Sequence, residues 1–227
     1  MRVVTLVGGT GFVGRYTAQA FVAAGWRVRV ASRTPEAILE LGDREGEDAL
    51  VKVEPMAADI RTGEGLDAAV AGADAVVNLV GILAPGGGQT FDGVQAKGSR
   101  RVAEAAKGAG VPRFIQVSAI GADADSPARY AQTKAAGEAA VLESYPGAAI
   151  LRPSIVFGPE DQFFNRFAGM AQISPMIPVV GAETKFQPIY VRDVAKAVVA
   201  AAEGDAAGVL ELGGPKTYSF AELMTLM

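Results

Sequence analysis

The chain of 227 residues has no cysteine and no histidine. Without cysteine it forms no disulfide, offers no thiolate to a metal and carries no cysteine nucleophile, which fits a reducing compartment. Without histidine, proton transfer near neutral pH falls to Tyr, Lys, Asp, Glu or a cofactor. Zinc catalysis loses both of its preferred ligand types. Charge is scarce as well: 20% of residues are charged against 50% hydrophobic. That balance opposes disorder and supplies a core. A net charge of −4 argues against nucleic acid as the principal partner. Long apolar runs are missing too. The stretch Ala75 to Pro85 is interrupted by Asn78 and falls far short of the ~20 residues a membrane span needs. The first strand starts almost at Met1, so no signal or transit peptide is expected, and the chain reads as cytoplasmic or as a mature form. The length suits one large domain, or one domain plus part of another.

What is present in quantity is glycine, 28 residues, and its placement near the start is informative. The apolar run Val3 to Val7 reads as a buried strand that empties into Gly8-Gly-Thr-Gly-Phe-Val-Gly14. The cluster parses as Gly9-x-Gly11-x-x-Gly14 or as Gly8-x-x-Gly11-x-x-Gly14, and an amphipathic segment, Arg15–Ala24, runs from it to Gly25. Glycine permits the tight turn, the close approach of backbone to pyrophosphate and the contact of helix with strand. The helix N-terminus then presents free N–H groups to the anion. A glycine pattern alone is weak; strand before and helix after make it specific. Gly8, Thr10, Gly11, Phe12, Val13 and Gly14 are therefore expected at a dinucleotide.

Short apolar runs alternate with amphipathic helices along the rest of the chain, the signature of a parallel sheet covered on both faces. Strands are expected at Arg2–Val7, Arg27–Ser32, Leu50–Met56, Ala75–Leu79, Arg113–Val117 and Ala149–Leu151. Helices are expected at Arg15–Ala24, Glu36–Leu41, Leu66–Ala71, Phe91–Ala109 and Ala128–Ser144. The fold class is α/β, a Rossmann-type doubly wound parallel sheet with a small, truncated C-terminal region. Residues 1–152 would form the dinucleotide-binding domain, completed by later strands, and 153–227 a partial substrate-side region. There prolines recur (Pro153, Pro159, Pro175, Pro178, Pro188), with a helix at Asp193–Ala202 and a strand at Val209–Leu212. Phe163, Phe164, Phe167 and Met170 follow helical spacing and read as core in preference to a lipid or quinone surface. Ser219-x-x-Glu222 opens a helix cut off at Met227, so the natural chain is expected to continue.

Cofactor choice is made at the end of the second strand, where a carboxylate would favour NAD. Ala31-Ser32-Arg33-Thr34 stands there instead. Arg33, with Ser32, Thr34 and Arg15 nearby, pairs with a ribose 2′-phosphate on one reading and is a solvated surface arginine on the other. The first favours NADP(H) over NAD(H). Asp59, followed by Ile60, is placed to accept from the adenine amino group, or else caps a turn. Asn78, Val80 and Gly81 lay polar, closely packed backbone beside the cofactor, or simply turn the chain. Tyr130 and Lys134 share a helix face at i and i+4. A lysine beside a phenol lowers its pKa and fits it for proton transfer, while Ser118 holds a carbonyl oxygen during hydride transfer. Ser118, Tyr130 and Lys134 are the candidate catalytic set.

These residues resemble an extended or atypical short-chain dehydrogenase/reductase. The likeness narrows through Val77-Asn-Leu-Val-Gly-Ile-Leu83, Val117-Ser-Ala-Ile-Gly-Ala-Asp123, Leu151 to Asp161, Phe164 to Phe167, Gln187 to Val191, Asp193 to Ala195 and Glu211-Leu-Gly-Gly-Pro215. Together they are similar to the nucleotide-binding accessory subunits of respiratory complex I (alpha-subcomplex subunit nine in mitochondria) and their alphaproteobacterial relatives. The resemblance implies a firmly held, mainly structural NADPH and the other subunits of complex I as partners. It also implies a peripheral place on the cytoplasmic side of a bacterial inner membrane, and a nicotinamide end approached by the backbone of Pro153, Ser154 and Val156. The alternative is a free NADP-dependent reductase, epimerase or dehydratase acting on a sugar nucleotide or quinone precursor.

Overall fold

A computed structural model describes residues 1–38, 53–173 and 181–226. Its centre is a parallel sheet of seven strands: β1 (Val3–Val7), β2 (Arg27–Ser32), β3 (Val53–Ala57), β4 (Ala75–Asn78), β5 (Arg113–Val117), β6 (Ala149–Pro153) and, further along the chain, β10 (Gly208–Leu212). Their order is β10-β6-β5-β4-β1-β2-β3. The order reverses between β1 and β4, and in such sheets the crevice at that switch point, outside the strand carboxyl ends, is where ligands bind.

Helices cover both faces: α1 (Phe12–Ala23), α2 (Leu66–Val70), α3 (Lys97–Gly108), α4 (Arg129–Ser144), α5 (Gln162–Ile173), α6 (Val191–Glu203) and α7 (Phe220–Thr225). Strand side chains alternate between the faces, as a period of two requires. Val4, Leu6, Val28, Val30, Ile115 and Leu151 pack with Phe21 of α1 and Val198 of α6. Val7, Ala31, Val76, Phe114 and Ile150 pack with Val102 of α3 and Val141 of α4. Both layers are built of buried apolar side chains.

The differences from expectation have local causes. α1 starts at Phe12 and not at Arg15, because Gly11 is its extended N-cap and Phe12–Gly14 form its first turn. The expected Phe91–Ala109 helix opens with a π-helical turn, Asp92–Ala96, in which Lys97 N–H reaches Asp92 O, before α3 proper. The expected Glu36–Leu41 helix is a 3₁₀ turn over Pro35–Ile38; its remainder, the start of Leu50–Met56, Pro175 and Pro178 lie outside the described residues. Four two-residue strands escape the periodicity altogether: β7 (Val156–Phe157), β8 (Lys185–Phe186), β9 (Ile189–Tyr190) and β11 (Tyr218–Ser219). β7 pairs with β9 and β8 with β11. Around the second pair Phe163, Phe167, Phe186 and Phe220 meet with ring centroids 5.2–6.0 Å apart. Ser219 and Glu222 complete the expected capping box.

Candidate nucleotide and active site

β1 ends at Val7 and the chain turns at once through Gly8, whose φ of 84° favours glycine. The Gly8 N–H is tied to Ala31 O at 2.8 Å, and Gly11 N–H to Gly8 O at 3.1 Å. A Cβ on Gly14 would lie 2.6 Å from Gly8 O and Gly9 Cα, so only glycine lets the helix press on the loop. The first intrahelical bond of α1 runs from Arg15 N–H to Gly11 O. The N–H groups of Phe12, Val13 and Gly14 find no acceptor among the described residues. Three free donors at the positive end of a helix are an anion site. Thr10 lies half-buried at the loop tip, and Phe12 and Val13 turn their side chains onto Tyr16, Val191 and Val156.

The loop forms one wall of a crevice of about 230 Å³, closed by the ends of β2, β3 and β4. Arg33 is exposed at its lip and makes no hydrogen bond or ion pair with any described residue. Next to it Ser32 Oγ is buried without a partner. Asp59 forms a bidentate pair with Arg61, Nε at 3.0 Å and Nη2 at 2.6 Å. The Arg61 guanidinium, and secondarily the charge of Arg33, hold the Asp59 carboxyl below its ordinary pKa against the opposing effect of burial. Ile60 lies buried on the crevice wall, with Val80 and Gly81 opposite on the chain leaving β4.

Asn78 is placed differently from the sequence expectation. Its side chain is fully buried and saturated away from the crevice: Nδ2 donates to Ser99 Oγ at 3.2 Å and Gln116 Oε1 at 3.0 Å, and Oδ1 accepts from Val80 N–H at 3.2 Å. It fixes the turn that presents Val80 and Gly81. Pro153 O and Ser154 N–H are also engaged within the protein, with Ile120 N–H at 3.0 Å and Leu212 O at 2.9 Å.

Ser118 follows β5 directly, its N–H on Leu151 O at 2.7 Å, and its Oγ is buried with no hydrogen-bond partner. Tyr130 sits in the first turn of α4, edge-on to Phe91. Lys134 follows one turn later, its Nζ 5.9 Å from the Tyr130 ring centroid. The ammonium occupies space that any side chain at Gly81 would fill, 3.1 Å from where its Cβ would stand. Lys134 has no hydrogen bond or ion pair among the described residues. Burial brings its pKa down to about 8, partly offset by the charge of Glu138. The expected lowering of the Tyr130 pKa is absent from this structure, because burial pushes the phenol up.

Arg61, Glu138 and Arg152 were not among the expected site residues. Glu138, one helical turn beyond Lys134, is 5% exposed and is clasped by Arg152 from the end of β6, at 2.9 and 2.6 Å. Its i+4 spacing from Lys134 was the signal available. For Arg61 it was a cation two residues past a carboxylate.

Fold and crevice together define the Rossmann class of dinucleotide-binding folds. The chain belongs to the NAD dependent epimerase/dehydratase family, whose model matches residues 4–213. It is 37% identical over 234 residues to the mitochondrial NADH dehydrogenase (ubiquinone) 1 alpha subcomplex subunit 9 of Arabidopsis thaliana, covering 99% of this chain and 57% of that protein. The Dictyostelium discoideum subunit of the same name is 30% identical, with 99% of this chain and 63% of that protein covered. The chain thus spans about three-fifths of the length of these relatives. The ceramide reductase of Caulobacter vibrioides is 34% identical, with 98% and 68% covered. Among solved structures, the UDP-glucuronic acid 4-epimerase of Bacillus cereus in complex with UDP-glucuronic acid and NAD shares the fold at a TM-score of 0.79 and 21% identity, covering 97% of this chain and 80% of that one. No described helix is long and apolar enough to cross a membrane.

Proposed function

We propose that this chain holds NADP(H) in the crevice and serves as a nucleotide-loaded accessory subunit of an NADH:ubiquinone oxidoreductase, peripheral on the cytoplasmic side of a bacterial inner membrane. The observation that carries the cofactor assignment is Arg33. It is a guanidinium without a partner among the described residues, standing beside the orphaned Ser32 hydroxyl, where a carboxylate would select the unphosphorylated ribose. The subunit assignment is supported by the likeness to complex I subunits. The residues fit the ligand part by part. Phe12, Val13 and Gly14 offer N–H groups to the pyrophosphate, and Ser32 and Arg33 bind the 2′-phosphate. Ile60, Val80 and Gly81 flank the adenosine and the linkage. Lys134, a buried donor without an acceptor among the described residues, is left for ribose hydroxyls. Pro153, Ser154 and Val156 border the nicotinamide side. Residues 1–152 are then the nucleotide-binding unit and 153–227 the substrate side.

A second reading, a catalytic NADP-dependent reductase, is favoured by one specific feature: the buried, partnerless Ser118 Oγ in company with Tyr130 and Lys134. Nicotinamide, when bound, would supply or accept hydride. Ser118 would donate to a carbonyl oxygen, and Tyr130 would pass its phenolic proton to that oxygen as charge develops. The relative that is a ceramide reductase supports this reading.

Gently solubilised membranes from the source organism, separated on a native gel and analysed by mass spectrometry, distinguish the two. Co-migration with the NADH:quinone oxidoreductase is the expected result. A free soluble pool alone overturns the subunit reading and directs the search to carbonyl substrates.

A further inference from the structure

Asp59 is the one carboxylate on the crevice wall among the described residues, and the sequence places it to receive the adenine amino group. Its oxygens are already filled. Oδ1 accepts from the Arg61 backbone N–H at 2.8 Å and from Nε at 3.0 Å, while Oδ2 accepts from Nε at 3.0 Å and Nη2 at 2.6 Å. A carboxylate has roughly four lone-pair sites, and three Arg61 N–H groups, with Nε–H shared between the two oxygens, occupy most of them. The turn beneath the pair is itself pinned, Asp59 N–H to Glu64 O and Gly63 N–H to Asp59 O. The arginine side chain is 32% exposed and the carboxylate 17%, so the cation is the more open of the two.

Strand register brings this pair beside Arg33. Ser32 lies opposite Ala57 in the parallel ladder, and Ala58 N–H bonds to Ser32 O at 2.9 Å. Arg33 therefore leaves one strand end and Asp59-x-Arg61 the adjacent one. Among the described residues the charged ones lining the crevice are Arg33, Asp59 and Arg61, two cations against one anion. That surplus sits at the end where a ribose substituent would lie, and it is wasted on a neutral hydroxyl. The structure assigns Arg61 as a second guanidinium for the ribose 2′-phosphate, with Asp59 acting through Arg61 as a positioning residue and not as the adenine acceptor. The assignment rests on the NADP(H) reading above and deepens it. Arg33 supplies a mobile cation at the lip. Arg61 supplies one whose fork is held flat by a bidentate carboxylate, so less freedom is lost when the phosphate arrives.

Calorimetric titration of 2′,5′-ADP and of 5′-AMP, which differ only by the 2′-phosphate, into the 227-residue chain at low salt tests this. The unmodified chain is measured first. Equal affinity for the two ligands removes the NADP(H) reading itself, and the assignment of Arg61 with it. Given tighter binding of 2′,5′-ADP, Arg61→Leu is expected to weaken that ligand about tenfold, the size of one charge-assisted hydrogen bond, and to leave 5′-AMP within about twofold. Asp59→Asn should weaken the same ligand, and the double variant should be no worse than Arg61→Leu alone, since the two act as one unit. Arg61→Lys, which keeps the charge and loses the fork, should fall between; it carries the test if Arg61→Leu does not unfold cooperatively. Equal weakening of both ligands by Asp59→Asn would make Asp59 the adenine acceptor after all. No change, or equal change, with Arg61→Leu would overturn the assignment.

Discussion

At the scale of single residues, the carboxyl edge of the sheet holds polar groups that the protein leaves unpaired. Ser32 Oγ and Ser118 Oγ are buried without partners, and the Lys134 ammonium is 7% exposed with no acceptor among the described residues. Each such group costs about 1–3 kcal/mol when left alone, a cost a ligand would relieve. Arg33 is the exposed counterpart. Arg33→Glu should weaken NADPH at least tenfold more than NADH, because a carboxylate there repels a 2′-phosphate and accepts from a 2′-hydroxyl; fluorescence titration with both nucleotides reads the difference, and equal losses would take Arg33 out of the site. Lys134 makes a pH-dependent prediction. Burial holds its pKa at about 8, below the 10.5 of a free lysine. Between those values the unfolded chain binds more protons than the folded one, so stability contributed at this position rises with pH across that window. Lys134→Met should therefore be the more stable form at pH 7, by an amount on the order of 3 kcal/mol. The gap should close as pH approaches 10.5, as followed by urea unfolding at several pH values. A gap that stays constant would mean that Lys134 is not desolvated.

At the scale of elements, α4 carries Tyr130 and Lys134, and its seat on the preceding π-helical turn fixes their height above the crevice. A Cβ at Gly137 would stand 2.2 Å from Gln95 O. Gly137→Ala should therefore cost about 1–3 kcal/mol by overpacking and weaken nucleotide binding along with stability; a variant as stable as the parent would show that this contact yields easily. The β1–glycine–α1 unit was legible because three levels agree there: an apolar strand, a turn that needs glycine, and a helix period behind it. Even so, the helix boundary was misplaced by a turn, since Phe12–Gly14 look like loop until Gly14 is seen to let the helix lie on Gly8 and Gly9. The π-helical turn had no sequence signal, and two-residue strands such as β7 and β9 are too short to show a period. At the candidate site, spacing singles out Tyr130 and Lys134, and the structure sets the Lys134 Nζ 5.9 Å from the Tyr130 ring centroid. Asn78 was assigned to the cofactor side because an Asn before a turn looks the same whether its amide faces a ligand or, as here, Ser99 and Gln116. Side-chain direction at a strand end is set by packing that spacing does not encode.

At the scale of the whole molecule, the order β10-β6-β5-β4-β1-β2-β3 places the glycine loop, the arginines and the Ser118–Tyr130–Lys134 group along one edge. The route from β6 runs out through β7 and α5 and returns by α6 to β10 at the sheet's border, so the later chain completes the sheet. A chain with neither histidine nor cysteine leaves Tyr, Lys, Asp, Glu or a cofactor for proton transfer near neutral pH, and α4 brings Tyr130 and Lys134 together. The central claim is that this edge is built for a 2′-phosphorylated dinucleotide. Thermal unfolding of the chain with NADPH or NADH at equal concentration tests it most directly, since a ligand at one hundred times its Kd stabilises by about 2.7 kcal/mol. The account predicts a clearly larger rise in Tm with NADPH; equal rises, or a larger one with NADH, would contradict it.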